Sequence, residues 1–292
     1  MSISADETFA EYRPLLFSIA YEILGSVVDT EDVLQESYLR WREVDMRGVE
    51  HPRAYLARIV TRQSLNALRA ASRRREDYVG PWLPEPLQTP AGDEPGEHVL
   101  RGEEVSTAML LVLETLTPTE RAVFVLREVF DFGYPEIAEA VGKSPEAVRQ
   151  IAHRARRHVH ARRSAALADP AEAQAAAEAF LQAAVSGDLQ ALMDVLAPDA
   201  VYLGDGGGRV VTARRPVHGA EPVARLLLGL VRMSEKLGEM RLGFAQYNGM
   251  PALVIAFDGV TDTVMCIEVT AARVSAVYAI RNPEKLGGVV VP

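Results

Sequence analysis

The chain has 292 residues, 48% hydrophobic and 24% charged, with a formal net charge of −9. That composition suits a globular protein with material for two or three modest cores and excludes disordered and fibrous classes. The opening MSISADETFAEY has no basic segment followed by an apolar run, and no stretch approaches the ~20 apolar residues of a bilayer crossing, so no membrane partner and a cytoplasmic location are expected.

In chain order, residues 1–76 read as an all-α bundle. Leu15, Leu16, Ile19, Ala20 and Ile23 recur at helical spacing until Gly25 ends the element. Asp29, Glu31 and Asp32 suit the positive end of a second helix, with Val33, Leu34, Tyr38, Leu39 and Trp41 as its apolar side. A loop through Asp45, Gly48 and Pro52 precedes a third helix, where Arg53 to Arg75 holds seven arginines and no acid. At about 100° per residue, Arg58, Arg62, Asn66, Arg69 and Arg73 share one stripe, and Leu56, Ile59, Val60 and Ala67 lie opposite. The guanidinium fork donates paired hydrogen bonds to phosphate, and a row of such contacts releases counterions. A solvated charged face is usually mixed in sign, so this single-sign row points to nucleic acid.

Residues 77–98 form an acidic, proline-rich linker in which no helix can persist. At ~3.3 Å per residue, roughly 20 residues span up to ~65 Å. Helical periodicity resumes near Val99, and a second all-α unit, residues 99–164, is expected, with Thr117 capping a helix that begins at Pro118. Within YPEIAEAVGKSPEAVRQIAH, Ala138, Gly142 and Val148 are spaced as a helix-turn-helix requires, with Ser144 as N-cap and Pro145 at the first helical position. Val148, Ile151, Ala152 and Ala155 face inward, leaving Arg149, Gln150, His153, Arg154, Arg156 and Arg157 outside. Arg149 and Gln150 are candidates to read base edges, and Arg154 and Arg157 to grip phosphate. The plainer alternative is a helical hairpin with a basic exterior.

Beyond Pro170 come two helices, 171–186 and about 189–196, and then runs at 201–203, 242–247, 252–257, 263–270 and 273–280 that read as strands. Residues 170–292 are therefore expected to be α+β. Cys266, the only cysteine, reads as a small buried hydrophobe.

SVVDTEDVLQESYLRW, HPRAYLARIVTRQSLNALRAASRRRE and LTPTERAVFVLREVFDFGYPEIAEAVGKSPEAVRQIAHRARR together resemble the two modules of extracytoplasmic-function sigma factors of bacterial RNA polymerase. The resemblance implies that Asp32, Gln35, Glu36 and Leu39 dock on the clamp helices of the polymerase's largest subunit, with the flap of the second-largest as a further partner. It also implies that His51 and the loop from Asp45 to Arg53, with the arginine helix, engage a melted −10 element. The helix-turn-helix would read a duplex −35 element from Ser144 to Arg157, His153 included, and the acidic linker would lie in the path of nascent RNA.

WLPEP (Trp82 to Pro86, with Pro84), DGGGR (Asp205 to Arg209) and NPEKL (Asn282, Pro283 and Lys285 among them) resemble the SigJ-like sigma subfamily, which carries a fused C-terminal SnoaL-like domain, a cone of curved sheet and helices. Arg209 stands where that subfamily usually has lysine. This resemblance implies that the fused domain regulates the sigma modules in place of a separate anti-sigma partner. A small-ligand sensor and an enzyme remain alternatives, with Asp205, Arg214, His218, Tyr247, Asp258 and Asp262 as polar candidates. No cofactor, metal or catalytic constellation is expected. For the whole chain the rival is a ligand-responsive helix-turn-helix regulator that never docks on polymerase.

Overall fold

A computed structural model describes residues 4–89, 106–162, 169–234 and 236–289, without the side chains of 72–76, 162 and 170. The linker beyond residue 89, the resumption of helix near Val99 and the side chain of Arg73 lie outside the described residues. The described residues fall into two compact units, one of residues 4–76 and 109–162, the other of 77–89, 106–108, 169–234 and 236–289.

The first unit is all helical. Helix α1 (Ala5–Leu24) starts in a capping box, with Ser4 Oγ accepting from Glu7 N at 3.1 Å and Glu7 Oε2 accepting from Ser4 N at 2.8 Å. It stops at Gly25, whose φ of 68° needs no Cβ. Helix α2 (Val27–Arg42) begins ahead of its acids because Ser26 Oγ caps it, accepting from Asp29 N at 3.2 Å. Trp41 is fully buried and its indole N–H donates to Ala5 O at 2.8 Å. Leu39 departs from the expected apolar side: it is 58% exposed, on the opposite face one heptad from Asp32. Helix α3 (Pro52–Glu76) buries Leu56 and Val60 fully, whereas Ile59 and Ala67 are only half-buried.

Helices α4 (Thr107–Glu114) and α5 (Pro118–Phe124) follow, the latter capped by Thr117 and Glu120. A π turn over Val125–Val129 leads to α6 (Tyr134–Val141) and α7 (Pro145–Arg162).

The second unit is α+β. Helices α8 (Pro170–Ser186) and α9 (Leu189–Val195) precede β1 (Leu196–Asp205), β2 (Val217–His218), α10 (Ala220–Ser234), β3 (Met240–Tyr247), β4 (Met250–Phe257), β5 (Val260–Thr270) and β6 (Arg273–Ile280), and a 3-10 turn over Pro283–Lys285 closes the series. The sheet order is β2-β1-β6-β5-β4-β3, with only the β1/β6 pair parallel. Phe180, Val223 and Leu227 pack on the sheet residues Leu253, Ile267 and Val277 to form the core. Helix α10 and the two-residue β2 have no counterpart in the elements read from the sequence. Pro222 and Gly229 interrupt the α10 stretch, yet Pro222 falls in the first turn, where it costs no hydrogen bond.

Candidate nucleic-acid interface and linker clasp

The chain turns between α6 and α7 at Gly142, with φ 68°, and Lys143 N returns to Ala138 O at 3.0 Å. Ser144 Oγ then accepts from Ala147 N at 3.2 Å, which starts α7. Val148, Ile151, Ala152 and Ala155 are buried as expected, so Arg149, Gln150, His153, Arg154 and Arg157 all stand exposed. The Arg149 guanidinium lies 5.4 Å from the centre of the Tyr134 ring. Arg156 is held by Glu128 through bonds of 3.0 and 2.6 Å, while Arg154 approaches Glu120 only to 3.9 Å. Glu146 in the first turn is held below the usual carboxylate range, chiefly by its own backbone amide and then by Ser144.

On α3 the structure divides the arginine stripe. Asn66 and Arg69 are exposed. Arg58 pairs with Glu139 at 3.0 Å, and Arg62 donates to Glu139 O at 2.7 Å and Ala140 O at 3.4 Å. Those carbonyls belong to the last turn of α6, where intrahelical donors run out, so Arg62 caps the C-terminus of α6. Arg53 extends the contact, donating to Phe130 O and lying 4.3 Å from the centre of the Phe132 ring. Sequence reasoning missed Arg121, which is 1% exposed, pairs with Glu114 and donates to Glu22 O at 3.0 Å. His51 is exposed and its carbonyl starts α3 by accepting from Tyr55 N at 3.0 Å.

Asp32, Gln35, Glu36 and Leu39 form one exposed face of α2, on which Glu36 pairs with Arg40 at 2.9 Å.

In the second unit, Asp205 is fully buried at the end of β1 and uses both oxygens. Oδ1 accepts from the Tyr78 hydroxyl at 2.5 Å and from Gly207 N at 3.1 Å, and Oδ2 from Leu83 N at 2.9 Å and Lys285 Nζ at 2.7 Å. Lys285 also donates to Leu83 O and lies 4.1 Å from the centre of the Trp82 ring. Asn282 Nδ2 donates to the Tyr78 hydroxyl at 2.9 Å. Burial, then the hydrogen bond to Asp205, pushes the Tyr78 phenol above its ordinary range. Gly207 is required here: its φ is 58°, and a Cβ would stand 2.4 Å from Asn282 Nδ2. Leu83 and Pro84 are buried, and the segment ends by pairing with β3, Thr89 N donating to Gln246 O at 2.9 Å. Asn248 reaches it through Leu87 at 3.0 and 2.8 Å.

DGGGR and NPEKL thus converge on the WLPEP segment. Arg209 pairs with Glu284 on the surface at 2.6 Å, and Pro283 is exposed. Of the other polar candidates, Arg214 and His218 are exposed, Tyr247 is buried, Asp258 accepts from Glu239 N, and Asp262 pairs with Arg281. Tyr78 and Asn248 were not singled out in the sequence, and Leu83 only as part of WLPEP; the aromatic residue beside the acidic start of a proline run was the available signal.

The family model for sigma-70 region 2 matches residues 8–74, and that for sigma-70 region 4 matches 106–159. The chain is 37% identical over 290 residues to the ECF RNA polymerase sigma factor SigJ of Mycobacterium tuberculosis, covering 96% of this chain and 92% of the relative. The chain belongs to the extracytoplasmic-function sigma factors. A probable ECF sigma factor SigI of the same species is 29% identical, over 94% of this chain and 92% of its own length. The crystal structure of the M. tuberculosis sigma factor SigJ superposes with a TM-score of 0.77 at 32% identity, over 99% of this chain and 100% of that one. As an ECF sigma factor the chain directs RNA polymerase to promoters, so core polymerase and promoter DNA are its partners. Among the described residues no helix is long and apolar enough to cross a membrane, and no group of three or more His, Cys, Asp or Glu could hold a metal ion.

Proposed function

We propose that this sigma factor rests in a closed form, with its −10 and −35 readers packed together, and that its C-terminal domain governs opening through its hold on the linker. In this reading Asp32, Gln35, Glu36 and Leu39 dock on the clamp helices, and residues 99–164 meet the flap. His51, Arg58, Arg62, Asn66, Arg69 and Arg73 engage the melted −10 strand. Ser144, Arg149, Gln150, His153, Arg154 and Arg157 engage the −35 duplex. Residues 170–292 are the regulatory domain, with Asp205, Asn282 and Lys285 gripping Trp82 to Pro84.

The observation that carries the reading is the engagement of Arg58 and Arg62 by α6. Elements centred near −10 and −35 are separated by about 25 base steps, on the order of 85 Å at ~3.4 Å per step. Helices in direct contact do not span that distance, so promoter binding requires them to part. The interface suits parting: its arginines regain hydration or phosphate partners on opening, unlike an apolar contact. Asp205 supports a holding role over a catalytic one, since its oxygens are already committed to four donors.

The test is promoter-specific transcription with core polymerase, comparing full-length protein with Lys285→Met. Altered output with polymerase binding retained is expected, whereas identical output overturns control by the clasp.

A further inference from the structure

The helix-covered face of the sheet encloses a cavity of about 160 Å³. Strand register lays its floor: Met240 pairs with Phe257, Leu242 with Ile255 and Leu253 with Met265, so alternate residues of adjacent strands present one apolar surface. Helices α8 and α10 supply the walls through Phe180, Ala184, Leu227 and Val231, spaced one turn apart on each helix. Polar groups gather at one end. Arg281 Nη2 lies 2.9 and 3.0 Å from the two Asp262 oxygens, Nη1 donates to Val211 O at 2.7 Å, and the Thr263 hydroxyl donates to Asp262 at 2.6 Å.

The charges of Asp262 and Arg281 cancel, and every other lining residue among the described residues is uncharged. A charged ligand would lose its hydration without gaining a counter-charge, whereas an apolar cavity of this size accepts a ring-sized molecule. The mouth is also apolar, with Met233, Leu237 and Met240 exposed at 60%, 48% and 44%. A monomeric surface gains by covering such a patch.

We propose that this cavity binds a small neutral molecule, a single ring or short branched chain whose one hydrogen-bonding group meets the Asp262–Arg281 end. Occupancy there bears on the linker. Arg281 precedes Asn282, whose amide holds Tyr78, and Tyr202 lines the cavity three positions before Asp205 on β1. The site stands independently of how the sigma modules open.

The experiment titrates full-length protein, labelled at its methionine methyls, with 4-ethylphenol, and with benzoate as the charged counterpart. Saturable shifts at Met233, Met240 and Met265, with Met250 and Met46 unmoved, are expected for the phenol alone. Ala184→Phe, which places a ring in the cavity, should weaken binding at least tenfold. Absence of saturable shifts in the wild type overturns the site, and an equal response to benzoate overturns the neutral class. Undiminished affinity in a folded Ala184→Phe protein also overturns it; if that variant does not fold, the wild-type titration decides alone.

Discussion

Lys285 Nζ stands 2.7 Å from Asp205 Oδ2, with 6% and 0% of the two side chains exposed. Removing one member of a buried ion pair strands the other and typically costs about 3–5 kcal/mol. Lys285→Met should therefore lower the stability of the second unit by that order in chemical denaturation and make residues 77–89 sensitive to protease in native buffer. Replacing both residues with apolar side chains should recover part of the stability without restoring the hold on Leu83.

Tyr78 gives the clasp a pH limit. Its phenol is raised by burial and by Asp205, so the folded state favours the protonated form. That contribution is fully present below the free phenol value of about 10 and is lost as pH rises through the higher folded value. Proteolysis of the linker should be flat from pH 6 to 9 and rise above about pH 10, and Tyr78→Phe should remove the alkaline step while weakening the clasp at every pH.

Glu139 side chains are 67% exposed where they meet Arg58, so this pair adds at most about 1 kcal/mol to stability. Its effect should show in competition instead. Glu139→Gln should raise affinity for a single-stranded −10 oligonucleotide several-fold in fluorescence anisotropy, with the gain shrinking at high salt. An unchanged affinity would show that the closed contact does not compete with DNA.

On the proposed reading of the −35 duplex, the exposed face of α7 makes two kinds of contact. Arg149→Ala or Gln150→Ala should cost about 1–3 kcal/mol on the preferred −35 duplex and relax discrimination at one position. Arg154→Ala and Arg157→Ala should weaken all duplexes alike and each reduce the salt slope by about 1.

The β5–β6 turn places Ala271 and Ala272 at φ 49° and 58°, a left-handed pair in which alanine carries Cβ strain. Ala271→Asn with Ala272→Gly should raise the thermal midpoint of the second unit, each change contributing roughly 1 kcal/mol.

The helix-turn-helix was legible because its determinants are local: Gly142, Ser144 and Pro145 act within one turn, and the inward row on α7 follows helical spacing. The arginine stripe of α3 was legible as a face, but its partner was not, since the acceptors of Arg62 are backbone carbonyls 77 and 78 positions away. Main-chain acceptors carry no residue signature. Asp205 and Lys285 were marked only by family motifs, because burial of a charge pair depends on strands β1 and β6 ending side by side. The Asn248-Gly249 and Asp258-Gly259 hairpin turns were readable signals, with φ above zero at all four residues. Helix α10 was hidden by its own proline and glycine.

Arg62 seizes the main chain of α6, whereas the side chains proposed to read bases are carried by α7. A change of promoter preference can therefore be made residue by residue on α7 without loosening that restraint. On the proposed reading, binding specificity and the threshold for activation are separately adjustable properties of one small module.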